Sequence, residues 1–314
     1  MGFFSSLFVL ALLRDLVLLG VHLMAWAHVI ASAQVASALA APSARAVLAI
    51  ALLTTVAGLV IARLPPRIVN IEIPVAGLPE ALHGFSIAQI SDLHVGPTIK
   101  RGFVAGIVDR VNALNADLIA VTGDMVDGSV RQLSRHTAPL AGLTARHGAY
   151  FVTGNHEYYS GEAAWTREFQ ALGFQVLKNE HVVLSHDGAS LVLAGVTDYG
   201  AHHFDRAQRS DPAAAMRGAP ADAGAKILLA HQPSSAAAAA DAGFDVQLSG
   251  HTHGGQFWPW NWFVRFFQPY ADGLHRLRTL WVYVSRGTGY WGPPNRFGVP
   301  SEITFIRLRR PLFA

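Results

Sequence analysis

The sequence predicts an α/β domain with mixed sheets, preceded by an N-terminal pair of membrane-spanning helices. Two observations predict this fold class. Through residue 62 the only formally charged side chains are Arg14, Asp15 and Arg45, which is the composition of a segment that lies in lipid. After residue 64, short apolar runs rich in Val, Ile and Leu alternate with stretches of helical periodicity, and this pattern is typical of βαβ units.

The composition of the 314-residue chain excludes several classes of protein. Hydrophobic residues make up 51% and charged residues only 14%, so the chain is neither disordered nor water-soluble throughout its length. The 24 Lys and Arg nearly balance the 21 Asp and Glu and form no basic runs, so no nucleic-acid partner is expected. Because the chain contains 0 Cys, the available metal ligands are oxygen and imidazole groups.

The N-terminal apolar region is long enough for two membrane spans. A spanning helix needs about 20 mostly apolar residues, and the sequence predicts spans at roughly 14–38 and 45–63. The Ala-Pro-Ser sequence at 41–43 is expected to form the turn between them. Two other interpretations stay open. One is a cleavable signal peptide, which would lack basic residues near its start, and the other is a pair of buried core helices in a soluble protein.

The Lys and Arg residues around the spans predict their orientation. Cytoplasmic loops carry an excess of Lys and Arg, and Arg14, Arg63 and Arg67 outnumber the single Arg45 in the predicted turn. Both ends of the anchor are therefore expected in the cytoplasm. The expected location is a bacterial inner (plasma) membrane, with two passes and with the following domain on the cytoplasmic side.

A separate domain is expected after the Pro-Pro pair at 65–66. Residues 1–64 would form the membrane anchor and residues 65–314 this domain. Periodicity predicts its strands and helices. The predicted strands are at 85–90, 118–122, 150–153, 182–185, 190–196, 227–230, 246–248, 280–284 and 303–306, and the predicted helices are near 101–114, 130–146 and 163–172.

Two features refine the expected architecture of this domain. Asp187 and Gly188 lie between two predicted strands, and an Asp-Gly pair in that position predicts a β-hairpin. Because a hairpin occurs together with βαβ units, we expect mixed rather than purely parallel sheets. Residues 203–226 are rich in Ala, Arg and Asp and are expected to form a long surface excursion.

Clusters of Asp, Asn and His follow the predicted strands. Open α/β sheets place their sites at the carboxyl ends of strands. One such cluster taken alone is an ordinary turn, but several clusters in phase with strand ends indicate a functional site. The HxH pair on an extended segment also directs both rings to one side. The clusters are Asp92-Leu93-His94, GDMVD at 123–127, GNHE at 154–157, AHQP at 230–233 and GHTHGG at 250–255.

These clusters resemble the motif set of the calcineurin-like metallophosphoesterases. That set runs D-x-H, G-D-x-x-D, G-N-H-E or G-N-H-D, a single His, and G-H-x-H, and the chain contains every block in this order. The resemblance covers roughly residues 84–307. The GHTHGGQ block and the SRGTGY sequence at 285–290 are similar to a membrane-associated bacterial branch. The resemblance implies a four-layer sandwich of two packed mixed β-sheets flanked by helices, with a dinuclear metal site at one edge.

The resemblance also implies which side chains hold the two divalent metal ions. Two cations about 3.5–4 Å apart can each hold a phosphate oxygen and can lower the pKa of a bridging water. Mixed oxygen and imidazole ligands suit Mn, Fe or Zn, and the sequence does not choose among them. By motif position, Asp92, His94 and His253 would bind one ion, Asn155, His231 and His251 would bind the other, and Asp124 would bridge the two.

His156 is expected to be catalytic without binding metal. The resemblance implies that it protonates the leaving oxygen or stabilises the transition state, with Asp127 orienting its imidazole. The nucleophile would be a hydroxide that bridges the metal ions. A packed loop histidine is the alternative interpretation of His156. Glu157 is left outside the catalytic set.

Other residues carry weaker predictions. Arg286 is a candidate phosphate clamp, and a structural ion pair is the alternative. His202 and His203 are expected either in a surface loop or within reach of the substrate. The aromatic segment at 257–267 (FWPWNWFVRFF) is expected either to meet the membrane headgroups or line an acyl groove, or to fold as a hydrophobic flap.

The function predicted from these observations is that of a membrane-anchored, metal-dependent phosphohydrolase. Its substrate would be a phosphate monoester, diester or pyrophosphate, and the anchor favours a lipid-linked ester. One alternative is a phosphoesterase that acts on soluble nucleotides, sugar phosphates or phosphoproteins. The other is a catalytically inactive metal-binding module tethered to the membrane. The sequence predicts no oligomeric state.

Overall fold

The computed structural model describes residues 2–27 and 33–311, with 33–37 described by backbone only. Two long helices come first, α1 at Gly2–Trp26 and α2 at Ala33–Arg63, and they pack against each other as a hairpin. Both helices are long and apolar enough to cross a membrane, and most of their large apolar side chains are exposed. Such exposure does not fit the alternative of two buried core helices.

The prediction of a turn at residues 41–43 is wrong. These residues lie inside α2, which continues through Pro42. The alanine-rich sequence on both sides favours a helix, and Arg14 and Ser43 both donate to the carbonyl of Ala40. Helix α1 ends at Trp26 and α2 begins at Ala33, and residues 28–32 between them lie outside the described residues.

Because the turn is not at 41–43, fewer arginines can be used to infer the orientation of the two helices. Arg14 lies inside α1 and Arg45 inside α2, so neither belongs to a loop. Arg14 pairs with Asp15 at 2.5 Å and donates from Nε to Oγ of Ser43 at 3.0 Å. The predicted orientation was based on four arginines. Only Arg63 and Arg67, at and just after the end of α2, still support it.

Two mixed six-stranded sheets follow the hairpin. Their orders are β1-β12-β2-β3-β4-β5 and β10-β11-β9-β8-β7-β6, and each contains parallel and antiparallel pairs. The strands are β1 (Arg67–Pro74), β2 (Ser86–Ile90), β3 (Leu118–Val121), β4 (Ala149–Phe151), β5 (Gln175–Val176), β6 (Glu180–His186), β7 (Ala189–Gly195), β8 (Ala225–Leu229), β9 (Val246–Ser249), β10 (Gly273–Leu277), β11 (Leu280–Val284) and β12 (Glu302–Arg309).

Short helices connect the strands of this domain. The predicted helix at 130–146 is shorter than expected: α4 ends at Thr137, and the 3₁₀ turn Ala138–Gly142 follows. Pro139 explains the early end because proline has no N–H for a helical hydrogen bond and disfavours the helical conformation in the residue before it. The helices are α3 (Arg101–Asn112), α4 (Val130–Thr137), α5 (Asn155–Ser160), α6 (Glu162–Ala171), α7 (Pro212–Met216), α8 (Ala236–Asp241) and α9 (Trp260–Phe263).

Apolar side chains between and outside the sheets hold the layers together. One buried cluster lies between the two sheets and includes Ile87 from β2 and Ile227 from β8. A second cluster packs α3 and α6 on the outer face of the first sheet, and a third packs α7 and α8 on the outer face of the second sheet. The architecture therefore confirms the prediction of two packed mixed sheets flanked by helices.

The hairpin prediction is correct, and three strands went unpredicted. Strands β6 and β7 pair antiparallel around Asp187 and Gly188, with His186 opposite Ala189. The unpredicted strands are β1, β5 and β10, which lie at or near sheet edges. Their apolar runs are diluted by polar residues, as in the half-exposed RIVNIEIP of β1. Half of the residues of the expected excursion at 203–226 are exposed, and the segment contains a 3₁₀ turn and α7, although its last two residues already belong to β8.

Candidate metal centre

The loops that follow the central strands of both sheets meet at one edge of the sandwich. After β2 and β3, the N–H of Asp92 donates to the carbonyl of Gly123 at 2.9 Å. Across the sheets, the N–H of Thr288 donates to the carbonyl of Ser91 at 2.7 Å. These main-chain bonds hold the motif-bearing loops side by side.

The backbone of this region has an unusual conformation at the residues predicted to bind metal. Positive φ angles occur at Asp92 (54°), His94 (52°), Asp124 (55°), His251 (72°) and His253 (52°). Residues other than glycine rarely adopt such angles, and each instance costs about 1–3 kcal/mol. Such strain persists where the surrounding structure enforces it, and it occurs most often at functional sites.

Three buried side chains form the first group of donors, which we name the Asp92 group. Asp92, His94 and His253 each offer one donor atom, and these atoms lie within 4.8 Å of one another. Nε2 of His94 is 3.1 Å from Nε2 of His253, and the latter is 3.4 Å from Oδ1 of Asp92. The three residues predicted to share one ion therefore lie together.

A second group, the Asp124 group, consists of Asp124, His231 and His251. Nε2 of His231 lies 3.0 Å from Oδ2 of Asp124 and 3.2 Å from Nδ1 of His251. The same Oδ2 atom of Asp124 is 4.0 Å from Nε2 of His94 in the Asp92 group. One carboxylate oxygen of Asp124 therefore lies within 4.0 Å of an imidazole from each group.

Asn155 begins helix α5 next to the Asp124 group. The N–H of the following residue, His156, donates to Oδ1 of Asp124 at 2.8 Å. Oδ1 of Asn155 is buried and has no hydrogen-bond partner within the described part of the chain. A buried unpaired amide oxygen is costly, and a metal ion is a partner that would satisfy it.

Hydrogen bonds on the far side of two imidazoles fix which nitrogen faces the centre. Nδ1 of His231 donates to the carbonyl of Thr122 at 2.7 Å. Nδ1 of His94 donates to Oδ1 of Asp127 at 3.0 Å. In both rings Nε2 is left pointing inward, which is the usual arrangement of a metal-binding histidine.

Electrostatics at the two groups suit cations. Burial opposes charging of His231, yet the negative charge of Asp124 raises the pKa of His231 well above its ordinary value. The same charge would attract a metal ion. Burial and then the positive charge of His231 lower the pKa of His251 to about 3, and burial and then Arg296 lower the pKa of His253. These two rings therefore stay neutral, the form that binds metal.

Glycines allow the motif loops to approach the carboxylates. A Cβ at Gly154 would lie 2.2 Å from Oδ1 of Asp124, and a Cβ at Gly250 would lie 2.2 Å from Oδ2 of Asp92. Both distances are far below any real contact, so a side chain at either position would displace a carboxylate. Gly154 and Gly250 are thus packing requirements of the site.

His156 and Asp127 form a close pair beside the two groups. Nδ1 of His156 donates to Oδ1 of Asp127 at 2.6 Å. Burial opposes ionisation of Asp127, but hydrogen bonds from His156 and His94 lower its pKa to about 2. Burial also opposes charging of His156, but Asp127 raises the pKa of that imidazole. The ring borders an open cavity of about 590 Å³, whose lining includes Trp291.

Two buried residues at the centre were not assigned from the sequence. Glu157 accepts from the N–H groups of Asp124 (2.9 Å), Met125 (2.7 Å) and Gly154 (2.7 Å). Burial and the charge of Asp124 raise its pKa to about 8. Glu157 therefore braces the loops after β3 and β4. The second residue is Arg296, which contacts His253. No sequence pattern marked this arginine as part of the site.

The residues that carried weaker predictions lie at the edge of the site or away from it. Nε of Arg286 is 2.6 Å from Oδ2 of Asp272. Arg286 therefore forms an ion pair, which was the alternative to a phosphate clamp. His202 and His203 lie in a surface 3₁₀ turn beside a cavity of about 510 Å³, which they line together with Arg206 and Arg209. None of the predicted metal ligands borders that cavity.

The aromatic segment at 257–267 forms one wall of an apolar cavity of about 390 Å³ next to the Asp92 and Asp124 groups. Nε1 of Trp260 donates to Oγ of Ser5 in α1 at 3.2 Å, so the segment also touches the N-terminal hairpin. Phe267 is 79% exposed, whereas Phe257 is buried. The lining includes Ser5, His251, His253, Phe257, Trp260, Phe263, Phe267 and Trp291.

Two mixed sheets with carboxylates and imidazoles gathered at one edge define a class, the metal-dependent phosphoesterases. The chain belongs to the calcineurin-like phosphoesterase family, whose pattern matches residues 85–255. The Bacillus subtilis protein named "Uncharacterized metallophosphoesterase YkuE" is 30% identical over 245 residues, which cover 74% of this chain and 82% of that protein.

Longer animal relatives are also similar. A Danio rerio protein named "Transmembrane protein with metallophosphoesterase domain" is 38% identical over 261 residues, covering 81% of this chain and 60% of the relative. The chain thus spans about 60% of the length of this relative. Among solved structures, calcineurin-like phosphoesterase YfkN from Bacillus subtilis aligns with a TM-score of 0.46 and 14% identity, covering 66% of this chain and 82% of that chain.

Proposed function

We propose that this protein is a membrane-anchored phosphohydrolase with a dinuclear metal site, and that its substrate is a lipid-linked phosphate ester or pyrophosphate. The observation that carries the proposal is the position of Asp124 between two donor groups, beside the His156–Asp127 pair. His156 is none of the seven proposed ligands. Its donor atom lies within 4.8 Å of those of Asp127 and His94, but metal binding alone would not need its raised pKa.

In this proposal seven side chains hold two divalent ions, either Mn, Fe or Zn. When bound, such a pair polarises the phosphoryl group and activates a water for in-line attack. The Asp92 group holds one ion. His231, His251 and Asn155 hold the other, and Asp124 is shared. The unpaired Oδ1 of Asn155 and the inward-facing Nε2 atoms of His94 and His231 support this division.

His156 is proposed to give a proton to the leaving oxygen. Its Nδ1 is held by Asp127, so the opposite nitrogen, Nε2, is free to point at the substrate. That nitrogen lies 4.0 Å from Oδ2 of Asp124, so it is close to the carboxylate that the two ions would share. The raised pKa of His156 keeps more of the ring protonated near neutral pH, the form that an acid catalyst requires.

The lipid-linked substrate is supported by the apolar cavity at the centre. Its lining joins two proposed metal ligands, His251 and His253, to Ser5 of helix α1. A phosphate at the metals would therefore have an apolar channel beside it that leads towards the N-terminal hairpin. Exposed aromatic side chains, among them Trp262 and Phe266, are typical of a membrane interface.

The membrane placement is part of the same proposal. The two helices would cross a bacterial inner membrane, and Arg63 and Arg67 would hold the domain on the cytoplasmic side. The spans rest on helix length, hydropathy and exposure. Protease treatment of intact spheroplasts tests the orientation: a protected domain agrees with the cytoplasmic placement, and a digested domain contradicts it.

A panel of substrates tests the activity. The full-length protein in detergent would be reconstituted with Mn²⁺, Fe²⁺ or Zn²⁺ and assayed on p-nitrophenyl phosphate, bis-p-nitrophenyl phosphate, a diacyl lipid phosphate and a nucleoside-diphosphate-linked lipid. We expect metal-dependent hydrolysis with a higher kcat/KM for a lipid in micelles than for either soluble ester. Hydrolysis of soluble esters alone would overturn the lipid part, and no hydrolysis of any ester would overturn the enzyme.

A further inference from the structure

The loop at residues 295–297 connects the N-terminal hairpin to the metal centre. The backbone N–H of Arg296 donates to the carbonyl of Gly58 in α2 at 3.1 Å. The neighbouring side chain of Asn295 is only 3% exposed and lies against both helices, at Gly2 and at Gly58. This loop is therefore held between the hairpin and the site.

The contact at Gly58 requires the absence of a side chain. A Cβ there would lie 1.8 Å from Oδ1 and 2.7 Å from Cγ of Asn295, and 3.1 Å from Cβ of Phe297. An added methyl group would have to displace the loop or the helix. A Cβ at Gly20 in α1, in contrast, would meet no atom of the described residues within 4 Å.

On its other side the same loop contacts a proposed metal ligand. The guanidinium of Arg296 is 0% exposed. Nη1 donates to the carbonyl of His253 at 3.2 Å and to that of Arg286 at 2.8 Å, and Nε donates to the carbonyl of Gly289 at 3.0 Å. Nη2 also lies 3.0 Å from Nδ1 of the His253 ring. Both the main chain and the imidazole of His253 are thus fixed by one side chain.

His253 needs such support. Its φ angle of 52° is strained, and a strained residue keeps its conformation only when neighbours enforce it. With Arg296 at its Nδ1 edge, the ring turns its Nε2 edge towards Asp92 and His94. A planar guanidinium with five fixed donors can hold a carbonyl and a ring together, which a lysine ammonium on a flexible stem cannot do equally well.

We infer that Arg296 is a positioning residue that holds His253 for metal binding, and that helix α2, through Gly58, fixes Arg296 in place. The hairpin is then part of the machinery that orders the metal site, in addition to being an anchor. This inference rests on the proposed metal site but is independent of which phosphate ester is hydrolysed.

Metal affinity tests the inference without relying on turnover. The full-length protein in detergent would be titrated with Co²⁺, and the visible absorption of bound Co²⁺ would be followed for each of the two ions. Loss of a group that orients a metal ligand typically weakens affinity 10- to 100-fold. We expect weakening of about this size for one ion in Arg296→Gln, a smaller loss in Arg296→Lys, and little change for the second ion.

The hairpin contact is tested by a matched pair of glycine variants. Gly58→Ala is expected to weaken the same ion at least several-fold and to alter its Co²⁺ spectrum, whereas Gly20→Ala is expected to bind like the wild type. Adding Asn295→Ala to Gly58→Ala removes the two closest atoms that the new methyl group would meet and leaves only the 3.1 Å approach to Cβ of Phe297, so most of the affinity should recover. Asn295→Ala alone serves as the reference for that double variant.

The possible outcomes distinguish a failure of this inference from a failure of the proposed function. If the wild type binds two ions and every variant binds them equally well, with only the melting temperature lowered, Arg296 is a structural residue and the inference is wrong. If Arg296→Gln weakens binding but Gly58→Ala does not, the link to the hairpin is wrong. If the wild type binds no divalent ion, the proposed function itself is wrong.

Discussion

Oδ1 of Asp127 accepts a hydrogen bond from Nδ1 of His156 at 2.6 Å. The same oxygen accepts from Nδ1 of His94 at 3.0 Å. One carboxylate oxygen therefore orients both the proposed acid and a proposed metal ligand. The family resemblance implied only the first of these tasks for Asp127, and the contact with His94 indicates the second.

Replacing His156 should separate catalysis from metal binding. In His156→Ala, we expect kcat to fall about 10²- to 10⁴-fold, the range for loss of a general acid, while metal content stays at the wild-type value. The loss should be larger for an alkyl phosphate than for p-nitrophenyl phosphate, because nitrophenolate leaves without needing a proton. Steady-state kinetics and elemental analysis of the same sample measure both quantities. Equal loss on both esters would contradict the acid role.

Replacing Asp127 should affect two functions together. Asp127→Asn keeps the shape of the side chain but removes the charge that holds His156 and His94. We expect a fall in kcat and, unlike in His156→Ala, a 10- to 100-fold weaker affinity for one of the two ions. Metal titration of the two variants side by side makes the comparison. Unchanged affinity in Asp127→Asn would show that His94 does not depend on this carboxylate.

The apolar cavity should matter for a lipid substrate only. Phe263, which lines that cavity, is 43% exposed, and Val183 on strand β6 of the second sheet is 47% exposed. We expect Phe263→Asp to lower kcat/KM for a micellar lipid phosphate at least tenfold and to leave p-nitrophenyl phosphate hydrolysis nearly unchanged. Val183→Asp is the control and should leave both substrates unaffected. A parallel loss on both substrates in Phe263→Asp would point to damage at the metal centre.

A buried carboxylate outside the site predicts how stability depends on pH. Glu162 accepts hydrogen bonds from Nζ of Lys178 at 2.8 Å and Oγ1 of Thr166 at 2.7 Å. Burial opposes ionisation, but the bonds from Lys178 and Thr166 lower the pKa of Glu162 below its ordinary 4.5. Because the folded state holds this group ionised, the stabilisation is present above pH 4.5 and is lost as the pH falls through the lowered pKa.

Glu162→Gln removes the charge at that position with little change in volume. We expect the melting temperature at pH 7 to fall by about 2–4 °C, equivalent to roughly 1 kcal/mol in a domain of this size, and the difference from wild type to shrink below pH 4. Thermal unfolding from pH 3 to pH 8 measures this dependence. A difference that stays constant over the whole range would show that ionisation of Glu162 does not stabilise the fold.

The sequence revealed the site better than it revealed the hairpin. Asp92, Asp124 and His251 each follow a buried central strand, and strand ends are readable because continuous apolar runs stop there. Pro42 misled the prediction of the turn because proline usually marks a break, yet here alanine-rich helix continues on both sides of it. Hydropathy alone does not distinguish a helix from a turn within an apolar stretch.

Other features depend on contacts that no local pattern encodes. Arg296 acts through the carbonyls of residues 253, 286 and 289, which only the folded chain brings together. Glu157 is visible in the motif, but its three backbone partners come from two loops that are separated in sequence. Edge strands such as β1 escape detection because a half-exposed strand carries polar residues within its apolar run.

We propose that seven side chains from both sheets hold two divalent ions that share Asp124. Electron paramagnetic resonance of the Mn²⁺-loaded, full-length protein tests it most directly. Two ions about 3.5–4 Å apart should give an exchange-coupled multiline spectrum at two Mn²⁺ per chain, and Asp124→Ala should abolish the coupling. A spectrum of one isolated ion, or of two ions with no coupling in the wild type, would contradict the account.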